Sequence, residues 1–181
     1  MKRIITVLVG ISLLFALGSC SNGGDPVDYM IEFTVDGTTT YVLQEAYGDA
    51  SEVSKGAYKP SHSATYIIAE TDAEGVWVSL TVSGNSAGIY QDAIDDVMFN
   101  FSRGSENDYR DNTSTDEDFT INITRYGGVG GVIEGTFSGT CEEYEYPSMG
   151  MPFYNGTTHT ITDGHFVVLH ATEDEIADFF K

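Results

Sequence analysis

Residues 76–83, VWVSLTVS, decide the fold. Successive side chains of an extended chain point to opposite faces, so Val76, Val78, Leu80 and Val82 share one side and Trp77, Ser79 and Thr81 the other. A helix would scatter the four apolar residues around its circumference. The period of two therefore predicts a strand with one core face and one partly wet face.

The same period recurs outward from this stretch. Residues 65–70 (TYIIAE) precede it across a short polar connection and predict its hairpin partner. Ile31, Phe33 and Val35 alternate with polar residues, Asp36-Gly37 supplies the positive φ angles of a tight turn, and residues 41–43 resume the apolar pattern. Val97, Phe99 and Phe101 alternate again, as do Phe119, Ile121 and Ile123. The Gly-rich run 127–131 is read as a hairpin turn into a strand at 132–141, and a second strand is expected, after a long loop, to run from about Thr158 through an Asp163-Gly164 turn into residues 165–170. Helical periodicity is confined to two places. Residues 89–96 suggest a turn of helix, and in the tail Thr172 can cap a short helix whose Ile176, Phe179 and Phe180 would dock on the sheet. Residues 48–62 have no clean period and are expected to form a long loop with an edge segment. The fold class is all-β: an antiparallel β-sandwich of eight or nine strands with a short C-terminal helix, the alternative being a lipocalin-like β-barrel.

Two stretches of the C-terminal third, YGGVGGVIEGTFSGT (126–140) and ITDGHFVV (161–168), resemble a recurrent ending of uncharacterised secreted or lipid-anchored bacterial β-proteins. There a Gly-rich turn leads into an I-E-G-T-F-S-G strand, and a T-x-G-x-F strand closes the sheet. The resemblance implies a fold family and export, and brings no catalytic residues. Gly135 and Gly139 share a strand face with Ile133, Phe137 and Cys141, where a missing side chain lets an aromatic ring lie across the strand or marks a bend.

At the other end, Lys2 and Arg3 open an uncharged, apolar segment, residues 4–17, followed by small residues, which is the layout of a secretory signal. The segment is too short for a spanning helix, which takes about 20 residues. Leu17-Gly18-Ser19-Cys20 resembles the bacterial lipobox, in which the cysteine receives a diacylglyceryl group and becomes the first residue after cleavage. That resemblance implies a signal peptide over 1–19, a lipidated Cys20 with a flexible Gly- and Pro-containing tether over 20–28, and a single β domain over 29–181. It also implies an address in the cell envelope, on the outer membrane, with the acyl chains as the membrane partner.

Charge narrows the partners. Lys2 and Arg3 leave with the signal, so six basic residues face 28 acidic ones and the mature formal charge is −22. A polyanion would be repelled, which excludes nucleic acid as a partner. With Cys20 lipidated, Cys141 has no cysteine to pair with, and it is expected to be a strand residue rather than a nucleophile because no basic neighbour in sequence lowers its pKa.

Two loops hold the candidate sites. Residues 143–154 (EYEYPSMGMPFY) place Tyr144, Tyr146, Met151, Phe153 and Tyr154 where a polar loop is expected, and aromatic side chains in a rigid loop offer contact area to a sugar ring or a protein. The competing reading is a loop that folds back over the core. Asp108, Asp111, Asn112, Asp116 and Asp118 crowd an acidic loop whose oxygen ligands would suit calcium as a cofactor, although the EF-hand spacing is missing. The four histidines lack metal-ligand spacing, and no nucleophile elbow or H-E-x-x-H occurs. The expectation is a non-enzymatic, lipid-anchored binding module for carbohydrate or protein. The alternatives are a structural envelope component ordered by calcium, or a barrel that carries an apolar ligand.

Overall fold

The computed structural model describes residues 27–44, 54–71, 76–91, 97–103, 107–111, 119–145 and 153–177. Among them lie eleven strands: β1 (Met30–Val35), β2 (Thr39–Gln44), β3 (Lys55–Lys59), β4 (Ala64–Thr71), β5 (Val76–Ser83), β6 (Gly88–Gln91), β7 (Met98–Arg103), β8 (Asn107–Asp111), β9 (Thr120–Tyr126), β10 (Val132–Glu145) and β11 (Phe153–His170). One short helix, α1 (Glu173–Ile176), follows them. No helix of the described residues is long and apolar enough to cross a membrane.

Hydrogen bonding runs in the order β2-β1-β11-β3-β4-β5-β7-β8-β10-β9-β6, with β10 and β11 also paired along their length. Rings from strands far apart in that order nonetheless touch: Phe33 of β1 lies 5.9 Å from Phe99 and 5.0 Å from Phe101 of β7, both edge to face. The sheet therefore folds over on itself into two layers, β2-β1-β11-β10-β9-β6 and β3-β4-β5-β7-β8. They are joined at two corners. The end of β11 pairs with β3 through Leu169 and His170, and the last residues of β10 pair with β8 from Cys141 to Glu145. β2 and β6 remain open edges and the β11–β3 corner holds by only two residue pairs, so the two packed layers form the sandwich and not the barrel alternative.

The core is the face that the alternation selects. Val76, Val78, Leu80 and Val82, the odd-numbered apolar residues from 97 to 101, and Phe119, Ile121 and Ile123 are all buried, as expected. Phe33, Phe99, Phe101, Phe119, Phe137 and Phe166 fill the space between the layers. Fully burying one such ring contributes on the order of 1.5–3 kcal/mol. Cys141 is a buried residue of β10. Ile176 anchors α1 against Ala57 and Ala171, whereas Phe179 and Phe180 lie outside the described residues.

Several expectations change. Eleven strands replace eight or nine, because three short ones give little periodicity. β3 reads KGAYK within the expected loop, and it is no edge: it sits between β11 and β4, where a Cβ on Gly56 would press on Ile133 (3.0 Å) and Val168 (3.1 Å). Residues 88–91 are a strand on β9, not a helical turn, and 92–96 lie outside the described residues. β8 lies where the acidic loop was expected. The β3–β11 pairing is parallel, so the sheet is mixed rather than purely antiparallel. Finally, Asp163-Gly164 is no turn. Glu32 pairs with His165 and Thr34 with Thr162, so β11 carries one extra residue there, with Asp163 at φ 54°. This is a β-bulge, which uses the same left-handed conformation as a tight turn but lets the strand continue.

Candidate functional site

The aromatic stretch forms the outer end of the β10–β11 hairpin. Tyr144 and Tyr154 are register partners, and their rings lie 6.2 Å apart, tilted by 46°. Phe153, paired with Glu145, remains 49% exposed and Tyr154 40%. Each phenol is held locally. Tyr144 donates to the Glu142 carboxylate at 3.0 Å, and Tyr154 shares a hydrogen bond with Thr158 at 3.0 Å. Between them β11 bulges, with Gly156 at φ 93° and the Asn155 side chain accepting from the Thr157 N–H at 2.9 Å. Phe153 and Tyr154 are thus exposed rather than laid over the core, and residues 146–152 of the expected loop lie outside the described residues. Tyr146 and Met151 lie outside the described residues, as does Cys20.

The calcium candidates are not gathered into a site. Asp108 and Asp111 fall on the backbone of β8, while Asn112, Asp116 and Asp118 lie outside the described residues. Among the described residues no group of three or more His, Cys, Asp or Glu side chains is placed to hold a metal.

Beside the hairpin end sits a cluster that sequence reading missed. His159 places Nδ1 2.7 Å from the Asp36 carboxylate and Nε2 3.4 Å from that of Glu143. Asp36 also accepts the Thr160 N–H at 2.9 Å, and its own N–H donates to the Thr160 carbonyl at 2.8 Å. The Thr160 N–H and the His159 ring hold the Asp36 carboxyl below its ordinary value of 3.8. A neutral imidazole has one N–H and serves one carboxylate; an imidazolium serves both. The three groups tie the β1–β2 turn, β10 and β11 together. No spacing could announce them, since Asp36 and His159 are 123 positions apart.

At the opposite end of β10–β11 the structure holds a cleft of about 360 Å³ lined by Tyr58, Asn85, Tyr126, Val129, His170 and Glu173, among others. The Gly-rich turn contributes Val129 to its lining and is tied to the His170 backbone. Gly127 and Val132 close the turn (2.8 Å), Gly130 donates to the His170 carbonyl (2.7 Å), and the His170 N–H donates to the Gly131 carbonyl (2.9 Å). The His170 ring stands edge-on to Tyr126 with centroids 5.0 Å apart, and Nδ1 lies 2.5 Å from the Gly127 carbonyl. A carbonyl only accepts, so Nδ1 carries the proton. The same logic orders the next contact. Thr65 gives its hydroxyl proton to the Gly84 carbonyl, so the Tyr126 O–H donates to Thr65 at 2.9 Å. Burial pushes the Tyr126 phenol above its ordinary value of 10.0. The turn itself was legible as a hairpin; the cleft was not, because Tyr58, Asn85 and Tyr126 come from different strands and connections. No protein-family model, curated protein or solved structure matches this chain.

Proposed function

We propose that this protein is a lipid-anchored, non-enzymatic binding module of the cell envelope, held at the outer membrane through Cys20, which captures a carbohydrate or a protein with the aromatic end of β10–β11. The observation that carries the reading is the exposure of Phe153 and Tyr154 beside Tyr144, on strands fixed to each other by paired backbone hydrogen bonds. Large aromatic surface left in water on a rigid frame is costly to the free protein and is what recognition surfaces use, because such rings bury much area at little entropic cost. The lipobox-like residues Leu17 to Cys20 and the basic, then apolar, leader support the address. The acidic balance disfavours anionic partners and leaves neutral glycans and basic or neutral protein surfaces as the captured class.

Two measurements test this. Metabolic labelling with a fatty acid should mark the wild-type chain and not a Cys20→Ser chain. In retention assays on neutral polysaccharides, and in photo-crosslinking from position 153 on intact cells, Phe153→Ala with Tyr154→Ala should weaken capture about tenfold, equivalent to ~1.4 kcal/mol, while thermal unfolding stays unchanged. Unchanged capture with both rings removed would end the proposal for this surface.

A further inference from the structure

We infer that the cleft between the Gly-rich turn and α1 is a second binding site, separate from the aromatic end of the hairpin, and that it takes a neutral, hydroxyl-rich sugar ring. His170 is the observation that points to a ligand. The residue is 8% exposed, its Nδ1 proton is committed to the Gly127 carbonyl, and its Nε2 has no partner among the described residues. No buried side-chain nitrogen or oxygen of the described residues lacks a partner, so Nε2 keeps accessible surface of its own, on a ring that lines the cleft. It is an acceptor on a nearly buried ring, held in place by two backbone hydrogen bonds to its own peptide group and one to its side chain.

The rest of the lining fits the same ligand. Tyr126 spends its proton on Thr65, so toward the cleft its oxygen can only accept. The Glu173 carboxylate only accepts as well, while the exposed Asn85 amide adds one accepting oxygen and two donors. A ligand that meets mostly acceptors must bring donors, and hydroxyl groups are donors that also accept from Asn85. Tyr58, Tyr126 and Val129 supply the apolar surface that the C–H face of a pyranose covers. Among the described residues neither lysine nor arginine lines the cleft, so uronates and phosphates find no counter-charge there. Its size lies near the lower end of the ~300–1,000 Å³ of small-molecule clefts, which suits one or two sugar rings rather than a long chain.

The test uses the full chain in detergent, with N,N′-diacetylchitobiose, cellobiose and maltose as probes and galacturonate and glucosamine as the anionic and cationic controls. Titration followed by ¹⁵N NMR of the histidine rings should show saturable binding of at least one neutral probe, with the His170 Nε2 resonance moving and those of His62, His159 and His165 still. Tyr58→Ala should weaken binding about tenfold or more. Asn85→Ala, on an exposed bend, gives a second reading that does not depend on a strand residue. Phe153→Ala with Tyr154→Ala should leave this binding unchanged, which separates its failure from failure of the hairpin-end site. The inference is overturned if no neutral probe saturates by about 20 mM, a level that would detect a Kd of ~1 mM. It is equally overturned if glucosamine or galacturonate binds more tightly than every neutral probe, or if Tyr58→Ala and Asn85→Ala both bind as the wild type does.

Discussion

Phe166 lies over Gly135, its register partner across the β10–β11 hairpin: a Cβ built on Gly135 would come within 2.5 Å of the ring and run into the Asn122 carbonyl. Two pairs further along the arrangement inverts, with Phe137 lying over Gly164, whose Cβ would come within 2.7 Å of the Phe137 ring. The two rings are 6.4 Å apart and both are buried. Each strand thus gives one glycine and one aromatic, and the rings pack flat against backbone that a side chain would hide.

Gly135→Ala and Gly164→Ala are therefore expected to destabilise the domain by at least about 2 kcal/mol each, since the contacted atoms include main chain that cannot yield. Gly128→Ala, with nothing within 4 Å, should cost far less. Urea unfolding of the three variants side by side checks the ranking; equal midpoints would refute it.

Asp163 adopts φ 54° at the bulge. Asp163→Gly should leave stability within about 0.5 kcal/mol of wild type or raise it, whereas Asp163→Val should lose roughly 1–2 kcal/mol, because a β-branched residue tolerates the left-handed region poorly. Thermal unfolding distinguishes the two.

The Asp36 carboxyl is held below its ordinary value, so the unfolded chain binds its proton first as the solution is acidified. The stability this group contributes is complete above about pH 3.8 and is lost as the pH falls through the folded-state value below that. With Asp36 47% exposed, the contribution should stay under about 1 kcal/mol. The difference in unfolding temperature between wild type and Asp36→Asn should narrow on acidification below pH 3.8; a gap that widens there would refute the assignment.

Cys141 has no exposed surface. In a Cys20→Ser chain, where it is the only cysteine, a thiol reagent should react at the rate of unfolding in native buffer and immediately in denaturant. Fast labelling of the folded chain would show that the end of β10 opens on its own.

Local pattern along the chain is enough to read the all-β class, the inward faces of β5, β7 and β9, the Asp36-Gly37 turn and the Gly-rich turn before β10, because alternation and left-handed turn residues are local consequences of strand geometry. It also offered Tyr144, Phe153 and Tyr154 as an aromatic group, since they lie close in the chain. The remaining features depend on which distant parts of the chain pack together. β3, β6 and β8 are too short or too irregular to carry a period, and they are strands because neighbouring strands satisfy their backbone. Asp163-Gly164 has the dihedral angles of a turn, and only the partners on both sides reveal a bulge. The Asp36–His159–Glu143 cluster and the His170 cleft join residues from distant parts of the chain, and proximity of that kind is a property of strand register and layer packing, which no local pattern encodes.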